Sequence, residues 1–155
     1  MRRYLIFIGI AVMCLSTAGE CRKAMDYDYP LYLNNQSDRR IQLWTPNAGE
    51  VGYPDTNLHE LPRGVIVHPN KKLDVAGGGI SWEKIYKSER RDTLSFFLFD
   101  VDTLEKYSWD IVKKNYMVLQ RYDLSIYDLQ KLNYTLYYPP TEAMRDMKMW
   151  PRYGE

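Results

Sequence analysis

The chain has 155 residues, with 21 Lys and Arg against 20 Asp and Glu, and 45% of it is apolar. That length suits one domain and excludes a large multidomain machine. The apolar share excludes a disordered chain, and a formal charge of +1 excludes any global pull toward nucleic acid.

The N-terminus reads as an address. Arg2 and Arg3 precede the apolar run LIFIGIAVMCL at residues 5–15. The run is about 11 residues long, where a membrane-spanning helix needs roughly 20. It fits the core of a secretory signal over residues 1–20, and Ser16 and Ala18 are small enough for a peptidase cutting before Gly19. A buried N-terminal helix is the alternative, which the arginine pair and the unbroken apolar run argue against. Cys21 stands where a bacterial lipobox places its lipidated Cys, although Glu20 occupies a position that such motifs give to a small residue. Two readings follow for Cys21, a diacylated anchor or a spare thiol. Arg22 and Lys23 come next rather than an acidic run, which points an anchored protein toward the periplasm. Beyond residue 20 acidic and basic residues balance, and the single Cys left allows no internal disulfide. An exported body of that kind must rely on its own core.

Residues 21–29 form a polar tether, residues 30–140 a single β-rich domain, and residues 141–155 a tail without strand alternation. Residues 31–33 and 41–44 read as a hairpin around the turn cluster Asn34-Asn35-Gln36-Ser37-Asp38. Residues 46–64 carry Pro46, Gly49, Gly52, Pro54, Pro62 and Gly64 and read as a long loop. A short strand at 64–68 ends at Pro69, and residues 71–75 are expected to pair with it. Gly77-Gly78-Gly79 opens a joint ahead of a helical turn at 81–86 capped by Ser81. Residues 93–99 (TLSFFLF) are apolar on both faces and should lie centrally in a sheet. Ser108 caps a helix at 109–115, residues 116–122 form a strand, Ser125 and Asp128 make a capping box for a helix at 126–132, and residues 133–138 form the last strand. Strands outnumber short helices, so the expected fold is mainly β, a β-sandwich-like domain with two or three short helices. The alternative is an α+β domain with helices on one face of an antiparallel sheet.

Candidate chemistry is sparse. Asp100 and Asp102 flank the end of the central strand at a spacing that, on a strand, points both carboxylates one way for a cation or a shared proton. Turn formation is the plainer use of such a pair. His59 and His68 are the only histidines, and neither has metal-ligand spacing. An enzyme would have to draw on Asp100, Asp102 and His59, and no nucleophile motif accompanies them, so no catalytic residue, metal site or cofactor is assigned. The triglycine lacks the Lys-Ser/Thr of a phosphate loop. Asn35-Gln36-Ser37 and Asn133-Tyr134-Thr135 match a glycosylation acceptor, which only a eukaryotic secretory chain would ordinarily use. The 14 Tyr and 4 Trp are the most informative feature. Tyr27, Tyr29, Trp44, Tyr53, Tyr137, Tyr138, Trp150 and Tyr153 fall in or near loops and ends, where aromatics offer contact area to a glycan or protein partner, or else fill sheet positions. Lys and Arg are dispersed, without the stripe a nucleic-acid binder needs.

Residues 94–140 carry D-x-D-T-L-x-x-Y-S-W and R-Y-D-L-S-x-x-D-L-x-x-L-N, followed by an aromatic strand and a Pro pair. This block, with Tyr53-Pro54-Asp55-Thr56, resembles small uncharacterised envelope lipoproteins of Gram-negative gut anaerobes. The resemblance implies an exported cell-envelope protein with a lipid anchor at Cys21, and it implies no activity. Together with the residues, it leads to an expected non-enzymatic binding or accessory role, with a structural subunit of an envelope assembly as the second reading. Leu104, Trp109, Val112, Leu124, Leu129 and Leu132 are spaced to lay short helices on the sheet.

Overall fold

A computed structural model describes residues 29–45, 57–89 and 92–155. The signal, Cys21, the tether to residue 28, Tyr27, Tyr53 and most of the breaker-rich loop lie outside those residues. The protein is mainly β. The strands are β1 (Tyr29–Asn35), β2 (Ile41–Trp44), β3 (Ile66–Val67), β4 (Lys71–Gly78), β5 (Leu94–Asp100), β6 (Gln120–Leu124), β7 (Thr135–Tyr138) and β8 (Met149–Trp150). The helices are α1 (Trp82–Glu89), α2 (Val101–Lys106), α3 (Trp109–Lys114) and α4 (Ile126–Lys131).

The strands form two sheets. One is three-stranded with the order β4-β1-β7, and the other is five-stranded with the order β3-β2-β5-β6-β8. Alternation on β1 sends Leu31 and Leu33 inward, where they meet Ile41, Leu43, Phe96, Leu98, Tyr122 and Leu124 of the larger sheet. This is the sandwich core. The opposite face of the larger sheet buries Phe97 and Phe99 with Trp44, and α2 and α3 close it with Leu104, Trp109 and Val112. Strand β5 is therefore buried on both faces and third of five strands, as its apolar residues on both faces predict.

Several local expectations change. Strands β1 and β2 are no hairpin, because β1 pairs with β4 and β7 while β2 pairs with β3 and β5. The turn cluster switches the chain between sheets, and Asn35 is the reason. Its side chain is fully buried, its Nδ2 donates to the carbonyls of Arg39, Val67 and His68, and its Oδ1 accepts from Ser37. Those bonds satisfy the turn from within and leave β2 free to seek another sheet. Strand β4 correspondingly pairs with β1 rather than with β3, and Gly77 and Gly78 extend it instead of forming a joint.

The 141–155 segment is not a loose tail. A 3-10 turn at Glu142–Met144 and strand β8 against β6 carry Met144, Met147 and Met149 into the sandwich core. Buried Met147 and Met149 alternate with exposed Lys148 and Trp150, but over four residues only, and Met144 is placed by the turn, so the segment carries too short a pattern to read as a strand. The Ser125–Asp128 capping box forms at α4 as expected. Ser108 precedes α3 without a side-chain cap bond. Among the described residues, no helix is long and apolar enough to cross a membrane.

Candidate binding cleft

The aromatic residues that matter gather where β1 begins. Tyr29, Pro30 and Tyr32 from β1, Trp82 and Glu83 from α1, and Asn133 and Tyr134 from the turn before β7 line a cleft of about 340 Å³. Each wall is held. The Trp82 indole N–H donates to the carbonyl of Tyr29 at 3.2 Å. The backbone N–H of Tyr32 donates to the carbonyl of Tyr134 at 2.9 Å. Asn133 and Tyr134 both have positive φ, 48° and 52°, in a region that non-glycine residues seldom occupy. Two backbone bonds hold that turn, from Asn133 to the carbonyl of Gln130 and from Tyr134 to that of Leu129. The chain accepts this backbone where it presents a Tyr ring and an exposed amide to the cleft.

One carboxylate serves the cleft. Glu83 accepts from the Tyr134 hydroxyl at 2.8 Å and from the Gln130 amide at 3.2 Å. The Tyr134 hydroxyl, with the helix backbone and Gln130, holds the Glu83 carboxyl below the usual carboxylate range. Partial burial and the same contact push the Tyr134 hydroxyl up. Glu83 is therefore an ionised acceptor at neutral pH. On the far strand, the Lys72 ammonium sits 4.6 Å from the centroid of the Tyr32 ring. Tyr29 is 41% exposed, so the cleft keeps one open aromatic wall. A second hollow of about 320 Å³ shares Tyr29 and Trp82 and is floored by Gly77, Gly78 and Gly79. A Cβ at Gly78 or Gly79 would meet nothing within 4 Å, so the triglycine leaves open space there.

This arrangement suits binding. Flat apolar rings, one fixed carboxylate and an amide match a ligand with an apolar ring face and hydroxyl groups along its edge. No nucleophile–base pair lines the cleft.

The other candidates are placed elsewhere. Asp100 caps α2, accepting the backbone N–H of Asp102 at 3.0 Å, and pairs with Arg39 at 2.6 Å. Asp102 belongs to α2 rather than to a strand, and it pairs with Arg40, as does Glu105. The two carboxylates are thus turned to separate arginines, and the strand-based geometry for a shared cation or proton does not arise. His59 is exposed in the loop after Leu58 and takes no part in those bonds. The exposed His68 lends its carbonyl to Asn35. Among the described residues, no group of His, Cys, Asp and Glu is arranged to hold a metal ion. Trp44 is core, and Tyr137 and Tyr138 are half-buried on β7. Trp150 meets the Tyr116 ring edge-on at 5.1 Å, and Tyr153 donates to Glu142. Sequence reading missed Tyr32, Glu83 and Tyr134, because only the β1–β7 pairing brings Tyr134 beside Tyr32. No protein-family model matches the chain, and neither a curated protein nor a solved structure is found similar to it.

Proposed function

We propose that the chain is an exported cell-envelope protein, lipid-anchored at Cys21, whose mature domain binds a glycan without catalysing a reaction. The cleft bounded by Tyr29, Tyr32, Trp82 and Tyr134 carries the binding part of this reading. A sugar ring laid on Tyr29 would bury its C–H face and offer hydroxyls to Glu83 and Asn133. The export signal and the anchor rest on Arg2-Arg3, the apolar run and Cys21, with the family resemblance beside them.

The test of binding is titration of the purified protein with envelope and dietary oligosaccharides, followed by amide NMR. Saturable shifts at residues 29–32 and 130–135 that vanish in Tyr29→Ala are the expected result. Binding that survives both Tyr29→Ala and Glu83→Gln would overturn the assignment. The anchor is tested separately, by mass spectrometry of the membrane-extracted N-terminus in the native protein and in Cys21→Ser.

A protein-only accessory role is the second reading. Val65, Ile66, Leu73 and Ile80 are exposed on β3, β4 and their flanks, and they would support it where they adjoin in one apolar patch. Co-purification of a fixed envelope partner without bound sugar would select it.

A further inference from the structure

A second cleft opens at the β6–β8 edge of the larger sheet, and its chemistry is opposite to that of the aromatic cleft. It measures about 600 Å³ and is walled by Arg121, Arg145, Lys148 and Arg152, with Asp123 and Asp146 as the carboxylates. We propose that it binds a phosphate dianion through these guanidinium groups.

Arg121 is the fixed element. It lies on the face of β6 opposite to the core residues Tyr122 and Leu124, beside Asp123. The Asp123 side chain is fully buried; its Oδ1 accepts from the Ser95 hydroxyl at 2.7 Å and its Oδ2 from Arg121 Nε at 3.0 Å. Arg121 Nη1 donates to the Tyr116 hydroxyl, and the guanidinium carbon stands 6.0 Å from the Tyr116 ring centroid. A buried carboxylate and a phenol thus hold one guanidinium in the cleft wall and leave its second terminal nitrogen for a ligand.

The other two arginines are less committed. Arg145 gives Nη2 to Glu142 at 2.7 Å and lies over Tyr153, with its centre 5.3 Å from that ring. The Arg152 guanidinium makes no hydrogen bond or ion pair with a described residue. Of the facing carboxylates, Asp123 is spent on Ser95 and Arg121, Glu142 on Arg145 and Tyr153, and Glu155 accepts the backbone N–H of Arg152. Asp146 is exposed at the rim. A wall with one pre-positioned guanidinium nitrogen, from Arg121, and a second, unpaired guanidinium, from Arg152, suits a tetrahedral dianion better than a sugar hydroxyl.

The test is calorimetric titration of the purified protein with inorganic phosphate, and with acetate as comparator, at fixed ionic strength. Saturable phosphate binding is expected, weaker for acetate, unchanged in Tyr29→Ala, and weakened about tenfold in Arg145→Gln/Arg152→Gln, in line with losing two charge-assisted contacts. Both arginine side chains are exposed, and circular dichroism checks that the double variant folds. Absence of saturation, equal or tighter binding of acetate, or phosphate affinity unchanged in the double variant would overturn the proposal.

Discussion

The Nδ2 of Asn35 stands 3.0 Å from the carbonyl oxygen of Val67, 32 residues away, and ties the last residue of β1 in one sheet to β3 in the other. The same nitrogen reaches the carbonyls of Arg39 and His68. One buried amide therefore fixes both the turn and the contact between sheets. Asn35→Ala is expected to cost about 2–3 kcal/mol, because it strips partners from buried carbonyls without filling the space. Asn35→Asp should cost more, since it sets a carboxylate against those carbonyls. Urea denaturation reads both, and an Asn35→Ala midpoint equal to that of the parent would show that the clasp is dispensable.

That residue also marks where the sequence was legible and where it was not. The segment 94–99, apolar on both faces save for Ser95, announced a central strand, and Ser125-x-x-Asp128 announced a helix start; both signals are local and both stand. Residues 34–38 carried an equally clear turn signal, yet the turn joins two sheets. Turn chemistry specifies a change of direction and not the pairing that follows. The aromatic cleft was half visible: Tyr29 stood out near a chain end, while Tyr134 became a partner only through a parallel pairing that no local pattern encodes. Helix α2 went unseen because Asp100 ends β5 and caps the helix at once, leaving no linker to mark the change.

Leu129 and Tyr127 sit two residues apart on α4 and should respond in opposite ways. Leu129 is fully buried in the sandwich core, whereas Tyr127 is 77% exposed. Leu129→Ala is expected to lose about 3–5 kcal/mol through lost transfer energy and the remaining cavity. Tyr127→Ala should stay within about 0.5 kcal/mol of the parent. Trp109→Ala should fall nearer to the first, since the indole packs edge-on to Phe99 with the rings 5.8 Å apart and helps close the outer layer. Thermal melts of the three variants check the ordering, and a Leu129→Ala melt matching that of Tyr127→Ala would refute the packing assigned to α4.

Two buried phenols give the fold an alkaline limit. The Tyr86 hydroxyl donates to the carbonyl of Leu124 at 2.8 Å, and that of Tyr122 donates to the carbonyl of Tyr137 at 2.6 Å. Burial raises both hydroxyls far above the ordinary tyrosine range, with Asp128 adding to the effect at Tyr86 and Tyr138 at Tyr122. The unfolded chain ionises these groups near the ordinary value of about 10, while the folded chain keeps its protons. Above that pH the native state binds more protons than the unfolded one, so stability falls as pH rises; below it the contribution is fully present. A tyrosinate absorbance titration should show these two phenols ionising only with loss of far-ultraviolet dichroism. Full tyrosinate amplitude while the dichroism is intact would contradict their burial.

The C-terminal segment supplies the sharpest contrast between a tail and a structural element. Met144 is fully buried, Met147 and Met149 are nearly so, and β8 covers β6 along Arg121 and Tyr122. Removing residues 141–155 therefore opens the sandwich core and bares the edge of β6, which bears the Arg121–Asp123 pair. A buried Met truncated to Ala costs about 2–5 kcal/mol, so losing three of them consumes a typical total stability of about 5–15 kcal/mol. A chain ending at Pro140 should lose cooperative unfolding and expose apolar surface to a hydrophobic dye. A chain lacking only Gly154 and Glu155 removes no core residue and should melt close to the parent. Equal melting of the two truncated chains would return the segment to the status of an appendage, and the burial of the three methionines is the reason to expect the opposite.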